Sequence, residues 1–257
     1  MGNKPVVGVL CAVLVSGCTT TLPTIPKDTV GQLKRVGVVS QAADQVSRKY
    51  VGMTVFGNEQ DQRAIGDWNL DAEYENQLSQ AVSEVLHAQA VSMDAGRAAF
   101  VKVNSLNGPY SAAAFWGPNF DVIADPVKAA CQEKLLDAIV VVGRTNAMDF
   151  FGKTNQAIEG LGVYGRRGVG GRVHMLAKLG IMDCKTAKPL ATRWLQRKGE
   201  QGAPADSRIP TAVIDTNLTS KPLAQWTDAE SRQLRDQLAS LPASAWKDTL
   251  REMLPAP

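Results

Sequence analysis

The run Ala138-Ile139-Val140-Val141-Val142-Gly143 limits what this chain can fold into more than any other stretch. Its β-branched residues favour extended backbone, and with no polar side chain to turn toward water, a strand here needs cover on both faces. A helix comes directly before it. Asp125-Pro126 supplies an N-cap with proline at the first helical position, opening a helix to about Leu136. The pair places the chain in the α/β (α+β) class, as a mixed β-sheet packed by two or three helices.

Periodicity supplies the other elements. Short β-rich runs at 35–39 and 50–56 read as strands. Leu70, Tyr74, Leu78, Val82, Val85 and Leu86 recur at helical spacing, which predicts a helix over about 70–89. Asp67 or Asn69 would cap it, and Asp71, Glu73 and Glu75 would suit the positive end of its dipole. Val173, Met175, Ala177, Leu179 and Ile181 alternate with His174 and Lys178, giving a long strand over about 172–183. A turn at 184–189 would return it as a hairpin to about 190–197. Thr227-Asp228-Ala229-Glu230 is a capping box ahead of Leu234, Leu238 and Leu241, and Ser244 would cap a last helix carrying Trp246, Leu250 and Leu254. Segments 90–120 and 146–171 show no regular pattern. The expected organisation is one α/β domain over 33–197, with 198–222 a surface excursion and the terminal helices packed on the same domain.

The amino terminus is a separate unit. Lys4, an apolar stretch from about Pro5 to Val15 and then small residues form the layout of a secretory signal peptide, too short to span a bilayer. Val15-Ser16-Gly17-Cys18 resembles the bacterial lipoprotein signal, in which the cysteine sulfur is acylated and the chain is cut just before it. The resemblance implies a signal peptide over 1–17 and lipid attachment at Cys18. With Thr19 and Thr20 following instead of an acidic residue, it implies the periplasmic face of the outer membrane. Thr19 to about Gln32 is Thr/Pro-rich and predicts a tether of at most about 40 Å. The net charge of +3 falls to +2 without Lys4, too small to point to nucleic acid.

With Cys11 cut away and Cys18 acylated, Cys131 and Cys184 are left as a possible disulfide in an oxidising compartment. The other reading is separate buried thiols, since Val127, Cys131 and Leu135 share one helix face.

The order of elements, with Asp137-Ala138-Ile139-Val140-Val141-Val142-Gly143 ahead of a hairpin at Asp183-Cys184-Lys185-Thr186, resembles a known group of periplasmic lipoproteins. These are the α/β lipoproteins of the curli-secretion-channel, penicillin-binding-protein-activator and TolB amino-terminal type. The likeness covers roughly 33–197. It departs at Ala187, where a glycine is usual, and in a long insertion over 146–171.

Candidate sites are few. Gly160-Leu161-Gly162-Val163-Tyr164-Gly165 matches G-x-G-x-x-G, but no clean strand precedes it and no helix follows, so an inter-strand loop is the expectation. Arg166, Arg167 and Arg172 cluster there beside Tyr164, and with Phe115 and Trp116 they form the candidate partner-binding residues. Phe150-Phe151 marks a second possible apolar patch. His87 and His174 stand outside any metal or triad pattern, so no metal, cofactor or catalytic residue is expected. Asp67 and Asp71 could do acid/base work on a glycan, although a helix start already accounts for them. The function expected is a non-catalytic binding or assembly component of the cell envelope, with an envelope protein or a second copy as partner. The alternative is a periplasmic enzyme or ligand-binding protein acting on peptidoglycan or a small molecule.

Overall fold

In the computed structural model, which describes residues 23–105, 117–198 and 208–256, α1 (Lys27–Val30) leads into β1 (Arg35–Gln41), β2 (Gln45–Val51) and β3 (Glu59–Ala64). Next come α2 (Leu70–Val85), β4 (Gln89–Ser92), α3 (Ala124–Lys134), β5 (Ala138–Arg144), β6 (Asn146–Met148), β7 (Ala157–Glu159) and β8 (Leu161–Arg166). The chain continues through β9 (Gly170–Met175), β10 (Ala177–Asp183), β11 (Pro189–Trp194), β12 (Thr211–Ile214), α4 (Thr216–Thr219), α5 (Asp228–Ser240) and α6 (Ala245–Met253). The fold is mixed α/β. It has two five-stranded sheets where the sequence predicts one, in the orders β11-β10-β5-β1-β4 and β12-β9-β8-β2-β3, beside a small β6-β7 pair.

β5 lies at the centre of the first sheet, parallel to β1 and antiparallel to β10. Val140 and Val142 pack into the main core with α2, α5 and α6, while Ile139 and Val141 pack into a second core with Phe100, Val127 and Cys131. Both faces of the strand are therefore covered, as its composition requires.

Two extended segments serve both sheets in turn. β9 and β10 are separated by Leu176 alone, and β1 and β2 by residues 42–44. Val173, Met175, Ala177, Leu179 and Ile181 all enter the main core, so the period-two pattern runs unbroken through the corner. That continuity is why the sequence reads one strand over 172–183. The hairpin to β11 is present, with Lys178 opposite Trp194 and Ile181 opposite Ala191.

Leu70, Tyr74, Leu78 and Val82 form the buried face of α2, and Tyr74 packs against Trp246 of α6 with ring centroids 5.9 Å apart. The Tyr74 hydroxyl donates to the Leu238 carbonyl at 3.1 Å, and Trp246 Nε1 donates to Gln77 Oε1 at 3.1 Å. Tyr74→Phe removes one of the two donors to the Leu238 carbonyl, which keeps the Leu241 N–H at 3.3 Å, so urea unfolding should show a loss of at most about 1 kcal/mol with an unchanged slope. An unshifted midpoint would mean that this hydrogen bond contributes nothing net. The capping box at Thr227 is formed in full, whereas Ser244 makes no side-chain cap bond.

Several expectations are corrected. The second strand lies at 45–51, not 50–56, because Arg48 is buried in it through ion pairs with Glu59 and Asp61 while Met53 and Phe56 project into solvent. The tether does not reach Gln32. Ile25 is fully buried, its N–H donates to the Met253 carbonyl at 2.8 Å, and Arg193 Nη1 donates to the Pro23 carbonyl at 2.9 Å. One isoleucine among threonines and prolines leaves no periodic trace, so composition hides the docking. The 198–222 excursion contains β12, which pairs antiparallel with β9, and the 146–171 insertion contains β6, β7 and β8. Asn69 occupies the N-cap position of α2 with φ 54° but makes no side-chain cap bond, and the helix ends at Val85, just before His87 takes φ 52°.

Candidate functional site

The face of the second sheet turned away from the main core gathers most of the polar side chains that the sequence singles out. Pairing sets Gly162 opposite His174 and Tyr164 opposite Arg172 across β8 and β9, and places Ser47 and Lys49 of β2 beside Gly162 and Tyr164. Paired residues share a face, so Ser47, Lys49, Tyr164, Arg172 and His174 stand together. The β6-β7 segment covers part of this face. Phe151 between those strands lies 5.1 Å from Tyr164 and 5.8 Å from His174, measured between ring centroids.

Beneath that cover Asp149 is buried, and its carboxylate accepts from the Tyr164 hydroxyl at 2.8 Å, Thr154 Oγ1 at 2.6 Å and the Gly152 N–H at 2.8 Å. Burial and the Asp149 carboxylate hold the Tyr164 phenol well above its ordinary range, so it serves as a neutral donor. His174 is fully buried beside the Glu159 backbone, and neither ring nitrogen meets full hydrogen-bond geometry among the described residues. Burial pushes it down to about 4, outweighing the Glu159 backbone and the Asp149 charge, which both favour the cation. Burial also lowers Lys49, against the pull of Asp149 and Glu159.

This geometry corrects the reading of Tyr164 as a partner-binding residue, because the side chain is fully buried and committed to Asp149. Arg166 is half-buried and donates to the Gly152 carbonyl, Arg172 is half-buried and among the described residues bonds only its neighbouring Gly171 carbonyl, and Arg167 is exposed. Phe115 and Trp116 lie outside the described residues. The G-x-G-x-x-G match runs from a bend at Gly160, with φ 52°, into strand β8, and Gly162 and Gly165 serve packing. A Cβ on Gly162 would sit 2.7 Å from the His174 ring and from Ser47 Oγ, and one on Gly165 would meet Thr219. A dinucleotide site needs these glycines in a turn ahead of a helix.

A second polar cluster, which the sequence reading missed, closes the corner between β1 and β2. Asp71 accepts from Ser40 Oγ at 2.6 Å and from the N–H groups of Ala42 and Ala43 at 2.9 and 3.2 Å. Glu75 accepts from the Ser40 N–H at 2.9 Å and from Arg97 through both Nε and Nη2. Burial raises both carboxyls, and their bonds from Ser40, Ala42, Ala43 and Arg97 oppose the rise, while Asp94 beside Glu75 adds to it. Asp67 is exposed and takes no part, so the Asp67 and Asp71 pairing is not formed as a unit. The signal was present in Asp71 and Glu75 at i, i+4, flanking the buried stripe of α2, but a helix start accounts for acids equally well. These carboxylates pin a bend between the two sheets.

Cys131 and Cys184 are joined in a disulfide with their Cα atoms 5.6 Å apart, tying α3 to the turn after β10. His87 is exposed. Among the described residues no group of three His, Cys, Asp or Glu side chains is placed to hold a metal ion, and no helix is long and apolar enough to cross a membrane. Comparison with protein-family models gives no match, and comparison with curated proteins gives none either.

Proposed function

We propose that this chain is a periplasmic lipoprotein, anchored to the outer membrane through Cys18, that acts as a non-catalytic binding or assembly component of the cell envelope. The observation that carries the reading is the order of charged start, short apolar run, small residues and cysteine that ends at Cys18. Two structural facts support it. The Cys131–Cys184 disulfide suits an oxidising compartment. Pro23, five positions after Cys18, is tied to the body through Arg193, so an acyl chain on Cys18 would hold the body close to the lipid: five residues reach at most about 18 Å. The likeness of the 33–197 region to curli-secretion-channel, penicillin-binding-protein-activator and TolB amino-terminal domains remains part of this proposal. A partner protein or a second copy is the reading favoured over an enzyme, because the buried carboxylates Asp71, Glu75 and Asp149 are already engaged by neighbouring donors.

Cys18→Ala should abolish incorporation of a labelled fatty acid and shift the protein out of the washed membrane fraction. Unchanged labelling would refute the anchor. Crosslinking in intact envelopes should then recover an envelope protein or a second copy. Recovery of neither, together with binding or cleavage of cell-wall fragments by the purified protein, would establish the enzyme or ligand-binding reading instead.

A further inference from the structure

At one end of the second sheet, two loop tips meet. β2 runs parallel to β8, with Val51 beside Arg166, so the loop after β2 and the turn after β8 emerge together. Arg167 Nη1 lies 3.6 Å from Met53 Sδ. Met53 is 82% exposed and Phe56 96% exposed, the two most exposed large apolar side chains among the described residues. Residues 52–58 carry no charge, while the opposing turn carries Arg166 and Arg167. Val213, 69% exposed, pairs with Arg172 across β12 and β9, which extends the same mixture of apolar and cationic groups along the adjoining face.

The charges here are unbalanced. Glu59 and Asp61 share Arg48, Lys221 pairs with Glu230, and Asp215 caps α4 through the Asn217 N–H, so one carboxylate of the Arg48 group and Asp215 stand against Arg166, Arg167 and Arg172, an excess of one positive charge. Arg167 and Arg172 have no ion pair among the described residues, whose salt bridges lie elsewhere. A phenylalanine held almost wholly in water by a tight turn is unfavourable in isolation, and scattered single apolar residues would need no account. Here the apolar residues stand at a protruding tip with cations directly behind them.

We propose that this two-loop tip docks on an anionic phospholipid surface, with Met53 and Phe56 entering the interfacial region and Arg167 and Arg172 facing the headgroup phosphates. Charge complementarity favours this occupant. So does shape, because a convex tip offers a protein partner no pocket, whereas a bilayer accepts protruding apolar groups without one. Because the tip lies on the folded body, the contact does not depend on Cys18 and stands or falls separately from the anchor.

Vesicle flotation tests it with a chain beginning at Thr19, which retains every described residue and lacks the anchoring cysteine. Phosphatidylglycerol vesicles should bind this chain more tightly than phosphatidylcholine vesicles, with affinity falling as salt rises. Met53→Ser with Phe56→Ser should weaken binding about tenfold or more. Arg167→Gln and Arg172→Gln should each weaken it about fivefold. These side chains are surface-exposed or half-buried, so the melting temperature should hold and report that the variants are folded. Equal binding to both lipids, no binding, or serine variants that bind like the parent would overturn the proposal. A photocrosslinker at position 56 that captures a protein and no lipid in native envelopes would overturn it in favour of a protein contact.

Discussion

Replacing both Cys131 and Cys184 with serine should lower stability by about 4 kcal/mol, the loss that chain entropy predicts for opening a loop of this length. For a chain of this size that corresponds to a fall in melting temperature of roughly 10 °C. The bond does more than shorten the unfolded chain. Cys131 lies in the second core with Met182 and Ile139, and the Cys184 N–H donates to the Asp137 carbonyl at 3.1 Å. The link therefore clamps α3 over the outer face of the first sheet, at the end where β5 begins. Adding a reductant to the parent protein should reproduce most of the loss, and the serine variant should not respond to it. If two thiols titrate in protein purified under oxidising conditions, with no change in stability on substitution, the bond is not made.

That clamp also shows what a sequence can and cannot carry. The helical spacing of Val127 and Cys131 places both correctly on a buried face, but Leu135, which continues the pattern, is 76% exposed because the helix stops at Lys134 and Leu135 takes φ 52°. Spacing records the period and not where it ends. β5, α2 and the hairpin of β10 and β11 are legible for one reason: each buries a continuous stripe whose period is its own signature. β2 and β8 are not, since Arg48 is buried by ion pairs and β8 contributes only Leu161 and Val163 to the main core, set among glycines. The polar constellations are less legible still. Asp149 finds Tyr164 across the sheet, and Glu75 finds Arg97, through tertiary placement that no local pattern encodes.

His174 is read from sequence as a residue on the polar face of a strand, which is correct for the face and silent on its cover. Covered by Phe151, it should make the protein acid-labile. In the unfolded chain it takes up a proton near its ordinary value of 6.5, but in the fold only near about 4. Between these values the unfolded state binds more protons, so stability is full above pH 6.5 and falls as pH drops through this window, by about 3 kcal/mol in all. Asp71 and Glu75 work the other way. Their folded carboxyls hold protons to higher pH than unfolded ones, so across the range just above the ordinary carboxylate values their contribution falls as pH rises. The net profile mixes both signs, and a variant is needed to separate them. His174→Leu keeps the volume close and gives up at most the ring's contact with the Glu159 backbone, since neither ring nitrogen meets full hydrogen-bond geometry among the described residues. It should match or exceed the parent at pH 5 and lose the decline between pH 6.5 and 4 in urea midpoints. Because protonation would place a cation beneath the β6-β7 segment, amide exchange of residues 146–159 in the parent should accelerate first in this range. A parent and variant that decline in parallel would show that His174 is already charged in the fold.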